Sequence, residues 1–178
     1  MELLNNKTVG GNPHEKDLYN TVEITIDSLR WIGIITVEKN MMWETKRIIE
    51  ALQNISEELV ERTQERDANT LDLIENVAFI VYEIVYMCEK GAKGGMCLSV
   101  VTSAIACLVN IVYEAEKKRL DIAQKIAELL KDTWYAGIKI GLHIRKKDVC
   151  ETIFSWHRET RNDEIRPILQ NILNEMSD

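Results

Sequence analysis

Proline and glycine are scarce in this chain: 2 of the first and 8 of the second among 178 residues. That scarcity excludes collagen-like repeats and an all-β sandwich punctuated by Gly/Pro turns. Cysteine is limited to Cys88, Cys97, Cys107 and Cys150, with no Cys-x-x-Cys pair and no matching His spacing. Three of the four sit in apolar helical text, where a free thiol behaves as a small hydrophobe. A basic excess is also missing. The 22 Lys and Arg face 29 Asp and Glu, a net charge of −7, which suits poorly a nucleic-acid binder held by phosphate contacts. Met1 to Asn12 lacks the apolar core of a secretory signal, so residues 1–11 read as a flexible tail and the free thiols as those of a cytoplasmic protein.

What the chain has in quantity is amphipathic helix. It is 46% hydrophobic and 29% charged, which excludes disorder. Its length fits one domain that buries about two thirds of its unfolded surface without a disulfide or metal staple. The stretch from Gly94 to Tyr113 carries no charge, and a bilayer span needs about 20 such residues. Ser99, Thr102, Ser103 and Asn110 interrupt it, however, and Glu83 breaks the apolar segment before it at a cost in hydrocarbon. A centrally buried helix is the favoured reading.

Helix boundaries are legible. Asn12-Pro13-His14-Glu15 combines a capping residue, Pro at the first helical position and Glu three residues after the cap. The stripe Leu18, Val22, Ile26, Leu29, Ile32, Thr36 follows at helical spacing and should stop near Lys39-Asn40. A second helix carries Met41, Thr45, Ile48, Leu52, Ile55 and Leu59 on one face. The third, from about Asn69 to Lys90, carries Thr70, Ile74, Val77, Val81, Ile84 and Cys88, and the glycines from Gly91 to Gly95 end it. A fourth covers about Met96 to Lys118. Asp121-x-x-Gln124 reads as a capping box opening a fifth helix, with Ile122, Ile126, Leu129, Thr133, Gly137, Ile140 and Ile144 in register. Asp148-x-x-Glu151 repeats the device before a sixth helix around Val149 to Arg161. A short seventh has Pro167 in its first turn. No window alternates with period two, so the fold class is all-α, with six to seven helices.

The long first, third and fifth helices are each followed by a turn (Glu38-Lys39-Asn40, Glu89-Lys90-Gly91, Lys146-Lys147-Asp148) and a partner. Ile32-Gly33-Ile34-Ile35 returns as Ile140-Gly141-Leu142-His143. These echoes imply a helical hairpin of about 50 residues used three times, as units 13–64, 67–118 and 119–178 of a single domain. The hairpins stack either as a short solenoid or as a compact bundle. In the Ile-Gly near the first helix's end, and in the Leu-x-x-Ile of Leu52 to Ile55 and Leu108 to Ile111, the chain resembles HEAT-like α-solenoid proteins. It departs from them where a Pro or an Asp-Arg pair would be expected in the units. The resemblance implies stacked hairpins that present a surface to a protein partner.

The candidate chemistry is thin. His143, Cys150 and His157 recur every seven residues and would align on one helix as zinc ligands, but the break at Asp148 and the lack of a fourth ligand argue against a metal site. Glu83 could be a buried base, yet helical spacing sets it on a polar face with Asp72, Asn76 and Lys90. Gly91 to Gly95 with Lys93 lacks the phosphate-loop pattern and its preceding strand. No nucleophile–base pair or nucleotide fingerprint is present, and no cofactor is implied. Charge is uneven, with eight basic against twelve acidic residues in 1–66, four against seven in 67–118 and ten against ten in 119–178. In the last third Lys139, Arg145, Lys146, Lys147, Arg158, Arg161 and Arg166 cluster beside Trp156 and His157, a patch suited to phosphate, an acidic partner helix or the acidic first hairpin of another copy, although blocks of this size are common on plain solvated helix surfaces. Trp31, Trp43, Trp134 and Trp156 fit core or interface anchors.

Two functions follow as expectations. The first is a non-catalytic protein-binding or scaffolding module, possibly self-associating as a homodimer, with binding residues Lys139, His143, Arg145, Lys146, Lys147, Trp156, Arg158 and Arg161. Neither nucleic acid nor membrane is an expected partner. The alternative is a sensor for a nucleotide or acidic metabolite. Its pocket would lie between helices three, four and five, lined by Tyr82, Tyr86, Asn110, Tyr113 and Trp134.

Overall fold

A computed structural model describes residues 13–63, 68–91, 97–118, 120–140 and 147–176. The described residues form seven helices and no strand: α1 (Pro13–Glu38), α2 (Met42–Arg62), α3 (Ala68–Gly91), α4 (Leu98–Lys117), α5 (Ala123–Lys139), α6 (Lys147–Glu159) and α7 (Ile165–Met176). The chain is all-α, as its periodicity requires. Residues 1–12, the glycine-rich loop after Gly91 and the segment 141–146 lie outside the described residues, and with them the tail, Lys93 and Lys146 of the third predicted turn, whose Lys147 and Asp148 belong to α6.

The helices form stacked hairpins in two layers. α1 packs on α3 and α3 on α5; α2 packs on α4 and α4 on α6, while α7 closes against α5 and α6. Ion pairs give the register. Lys125 Nζ meets Glu75 at 2.9 Å and Lys139 Nζ meets Glu89 at 3.2 Å, each pair 50 residues apart, so α3 and α5 run parallel without drift. Arg30 grips both oxygens of Glu83, at 2.7 and 2.8 Å, across 53 residues, tying α1 to α3. In the second layer Met42 Sδ lies 3.5 Å from Cys97 Sγ at one end. At the other, Lys118 Nζ donates to the carbonyls of Val60 and Glu61. These contacts set α2 and α4 parallel, and they place a cation on the carbonyl end of α2 where the helix dipole favours it.

Local chemistry explains the turns. Lys39 N–H bonds to Ile35, Asn40 N–H to Val37 and Met41 N–H to Thr36, a Schellman closure with Asn40 at φ 59° in the left-handed position,. Asn tolerates that conformation better than other side chains. Inside this corner Thr36 Oγ1 donates to Gly33 O, and Thr45 Oγ1 lies 2.9 Å from both Thr36 Oγ1 and Met41 O. Two buried hydroxyls are thereby satisfied between α1 and α2. Asn162 Oδ1 accepts from the amides of Glu164 and Ile165 and starts α7,.

The expected capping box at Asp121 does not form, and the helix expected to open at Asp148 is already under way there. Ile122 precedes α5 and no side chain caps it; the Leu120 carbonyl takes the Ala123 amide instead. Asp148 lies inside α6, which already starts at Lys147. The α1 stripe also breaks: Leu18 and Ile32 are exposed, while Ile26, Gly33, Thr36 and Val37 form its buried edge. Gly33 allows the close approach, since a Cβ there would sit 2.7 Å from Ile84 Cδ1 of α3.

The core runs along α3, α4 and α5, where Ile74, Val77, Val81, Ile84, Ala104, Ile105, Leu108, Ile126 and Leu130 have no solvent exposure. By length and composition alone α4 could cross a membrane. Here it is flanked by α2, α3, α5 and α6, and ten of its residues are buried against them.

Candidate functional site

Of the expected binding residues, His143, Arg145 and Lys146 lie outside the described residues, as does the side chain of Lys147. The other four divide between two places. Lys139 projects from α5 and pairs with Glu89 of α3. Trp156, Arg158 and Arg161 belong to the end of α6 and the strap after it. Trp156 is buried, whereas Arg158 is exposed, with its guanidinium 6.0 Å from the ring of Phe154.

Trp156 and Arg161 line a cleft of about 720 Å³ between the end of α4, the turn into α5 and the end of α6. Its floor is organised by Glu116, whose two carboxylate oxygens accept from Trp156 Nε1 and Thr160 Oγ1. That carboxylate fixes the end of α6 on α4. Tyr113 meets Trp156 edge to face, with centroids 6.4 Å apart, and Lys117 lies 4.6 Å over the Tyr113 ring. Arg166 in turn donates to the Thr160 carbonyl. Only Tyr113 of the five residues expected to line a ligand pocket lies on this cleft. Trp134 is buried in α5, and Tyr86 is exposed on α3 in an aromatic row with Tyr82 and Phe79.

The remaining reactive groups are packed away. Cys88, Cys97 and Cys107 are buried and Cys150 half-buried, none of them in a disulfide. Burial pushes the Cys88 and Cys97 thiols up, Cys107 up to about 12, and Cys150 up as well. Among the described residues no three His, Cys, Asp or Glu side chains are grouped to hold a metal. Glu83 is neither a buried base nor a freely solvated carboxylate. It is the half-buried partner of Arg30, whose pKa is raised by the hydrogen bonds the guanidinium donates to the Glu83 carboxylate.

The two ends of the stack differ in a way the sequence reading missed. At one end α7 turns Ile165, Ile168, Leu169 and Ile172 inward and exposes Arg166, Gln170, Asn171, Asn174 and Glu175. At the other, α1 leaves Ile24 66% and Trp31 63% exposed, with Leu18, Ile32 and Ile35 about half exposed. Ile24, Trp31, Ile32 and Ile35 are spaced seven, eight and eleven residues from the first, which sets them on one side of the helix. Trp43 at the start of α2 is exposed too. A signal for this side was present: α1 is apolar beyond the width of a single stripe.

Comparison with known protein families, with curated proteins and with solved structures finds no match.

Proposed function

We propose that this chain is a non-catalytic protein-binding module, a short stack of helical hairpins working in the cytoplasm, where its free thiols stay reduced. The observation that carries the reading is the apolar side of α1. Monomeric proteins rarely leave contiguous apolar patches of more than a few hundred Å² in water, and larger ones mark contact sites. A terminal hairpin normally closes a stack with a polar outer face, as α7 does and α1 does not. The likeness to HEAT-like stacks is supported by the 50-residue separation of the α3–α5 ion pairs. The test is affinity capture with the tagged full chain, scored both for host proteins and for untagged copies of itself. Trp31→Asp should cut recovery at least about tenfold, the loss expected for an interface anchor, without moving the thermal midpoint. Unchanged recovery would refute the proposal.

A second reading is favoured by the cleft at Glu116. Its volume falls within the usual range for small-ligand sites, about 300–1,000 Å³, and among its lining residues Lys117, which also pairs with Glu114, and Arg161 supply cations beside the carboxylates of Glu116, Asp121 and Glu159. A thermal-shift screen of nucleotides and acidic metabolites addresses it. Stabilisation that Arg161→Ala abolishes supports a sensor; no shift with any compound removes that role.

A further inference from the structure

We infer that the exposed side of α1 is covered by the same side of a second copy of this chain, related by a two-fold axis, so that the protein is an antiparallel α1–α1 dimer. This rests on the protein-binding reading and names its partner.

Head-to-tail stacking is disfavoured by the ends themselves. It would set the apolar side of α1 on the polar outer side of α7, stripping water from Gln170, Asn171, Asn174 and Glu175 without matching them. A two-fold contact places apolar surface on apolar surface, as an isologous interface requires. Leu18, Ile24, Trp31, Ile32 and Ile35 together leave on the order of 500 Å² of apolar side chain open, most of the roughly 800 Å² that each partner contributes to a standard interface.

Three hydroxyls on this side are ready to be dried. Thr21, Thr25 and Ser28 each donate, at 2.8 Å, to the carbonyl four residues back. Their hydroxyl protons are spent within the helix, and burying them strands no donor. Centring the axis between Leu29 and Arg30 pairs Ile24 of one copy with Ile35 of the other and Ser28 with Trp31. Asp17 at the start of one α1 then lies within about one helical turn of both Lys39 and Glu38 at the end of the other, so opposite and like charges offset at this margin and the apolar side chains carry the contact. A bilayer fits this side less well, because Asp17, Asp27 and Glu38 border it where a membrane-surface helix carries Lys and Arg.

The experiment is sedimentation equilibrium of the full chain, of Ile24→Glu, of Ile35→Lys, and of an equimolar mixture of the two variants. Both sites are exposed, so folding is checked simply by unchanged helical circular dichroism and melting. Wild type should be a dimer, and each variant should dissociate roughly a hundredfold more readily, the loss of an interface anchor. The mixture should recover a heterodimer, because each substituted site then faces its opposite charge while the second Ile24–Ile35 contact stays intact. Monomeric wild type, or a mixture no tighter than either variant alone, overturns the inference. If wild type is monomeric and Trp31→Asp still loses a captured host protein, the protein-binding reading stands and only the self-association falls. Flotation of a monomer with neutral phosphatidylcholine vesicles would replace the second copy with a membrane.

Discussion

Thr133 Oγ1 and Trp134 Nε1 are buried in α5 with no hydrogen-bond partner among the described residues. An unmatched buried donor costs about 1–3 kcal/mol, whereas an apolar group of the same shape costs nothing in desolvation. Thr133→Val is therefore expected to stabilise the fold by about 1 kcal/mol, read as a rise in urea midpoint at constant slope. A fall would mean that the hydroxyl is satisfied after all. Cys107 gives a pH signature. Its thiol ionises at about 12 in the fold, raised by burial and then by Glu57, against an ordinary 9.0. Between those values the unfolded chain has lost a proton that the folded chain keeps, so this thiol's contribution to stability falls as pH rises. Cys107→Ala should flatten the decline in urea midpoint between about pH 8 and about pH 10.5; an unchanged slope would assign that decline to other groups.

At the scale of elements, α1 is the instructive helix. Its stop at Lys39-Asn40 was legible because few side chains accept the left-handed position that ends a Schellman closure. Its buried side was only half legible. The Leu18–Ile32 stripe and the side bearing Ile24, Trp31 and Ile35 are both apolar, and periodicity alone does not say which one a neighbour covers. The Arg30–Glu83 clasp joins residues 53 apart, and no local pattern announces such a pair. The box at Asp121 misled because Asp and Gln at that spacing also suit a turn whose amides find backbone carbonyls. Gly33 offers a test of how closely α1 seats on α3. Gly33→Ala gains about 1 kcal/mol of helix propensity, but its Cβ meets Ile84, which is fully buried and has little room to move. Overpacking of about 1–3 kcal/mol should outweigh the gain. Adding Ile84→Val removes the atom 2.7 Å away, so the double variant should be about 1 kcal/mol more stable than the two single effects predict. Strict additivity in chemical denaturation would contradict the close seating.

At the scale of the molecule, the stacked all-α organisation was visible in the chain because apolar stripes at helical spacing are separated by short polar or glycine-bearing turns. The basic cluster of the last third was visible only as composition. The fold sends Lys139 to the α3–α5 layer, buries Trp156 beneath Glu116, leaves Arg158 exposed beside Phe154 and puts Arg161 on the cleft. The unequal ends of the stack could not be read in advance, since they depend on which apolar surface remains after three hairpins have packed. That inequality underlies the protein-binding reading, with one end finished by polar residues and the other left apolar. The solution mass of the unmodified chain as a function of concentration tests it most directly. The account predicts a species of twice 20.5 kDa that dissociates on dilution. A 20.5 kDa particle at every concentration, with no host protein captured through Trp31, would contradict it.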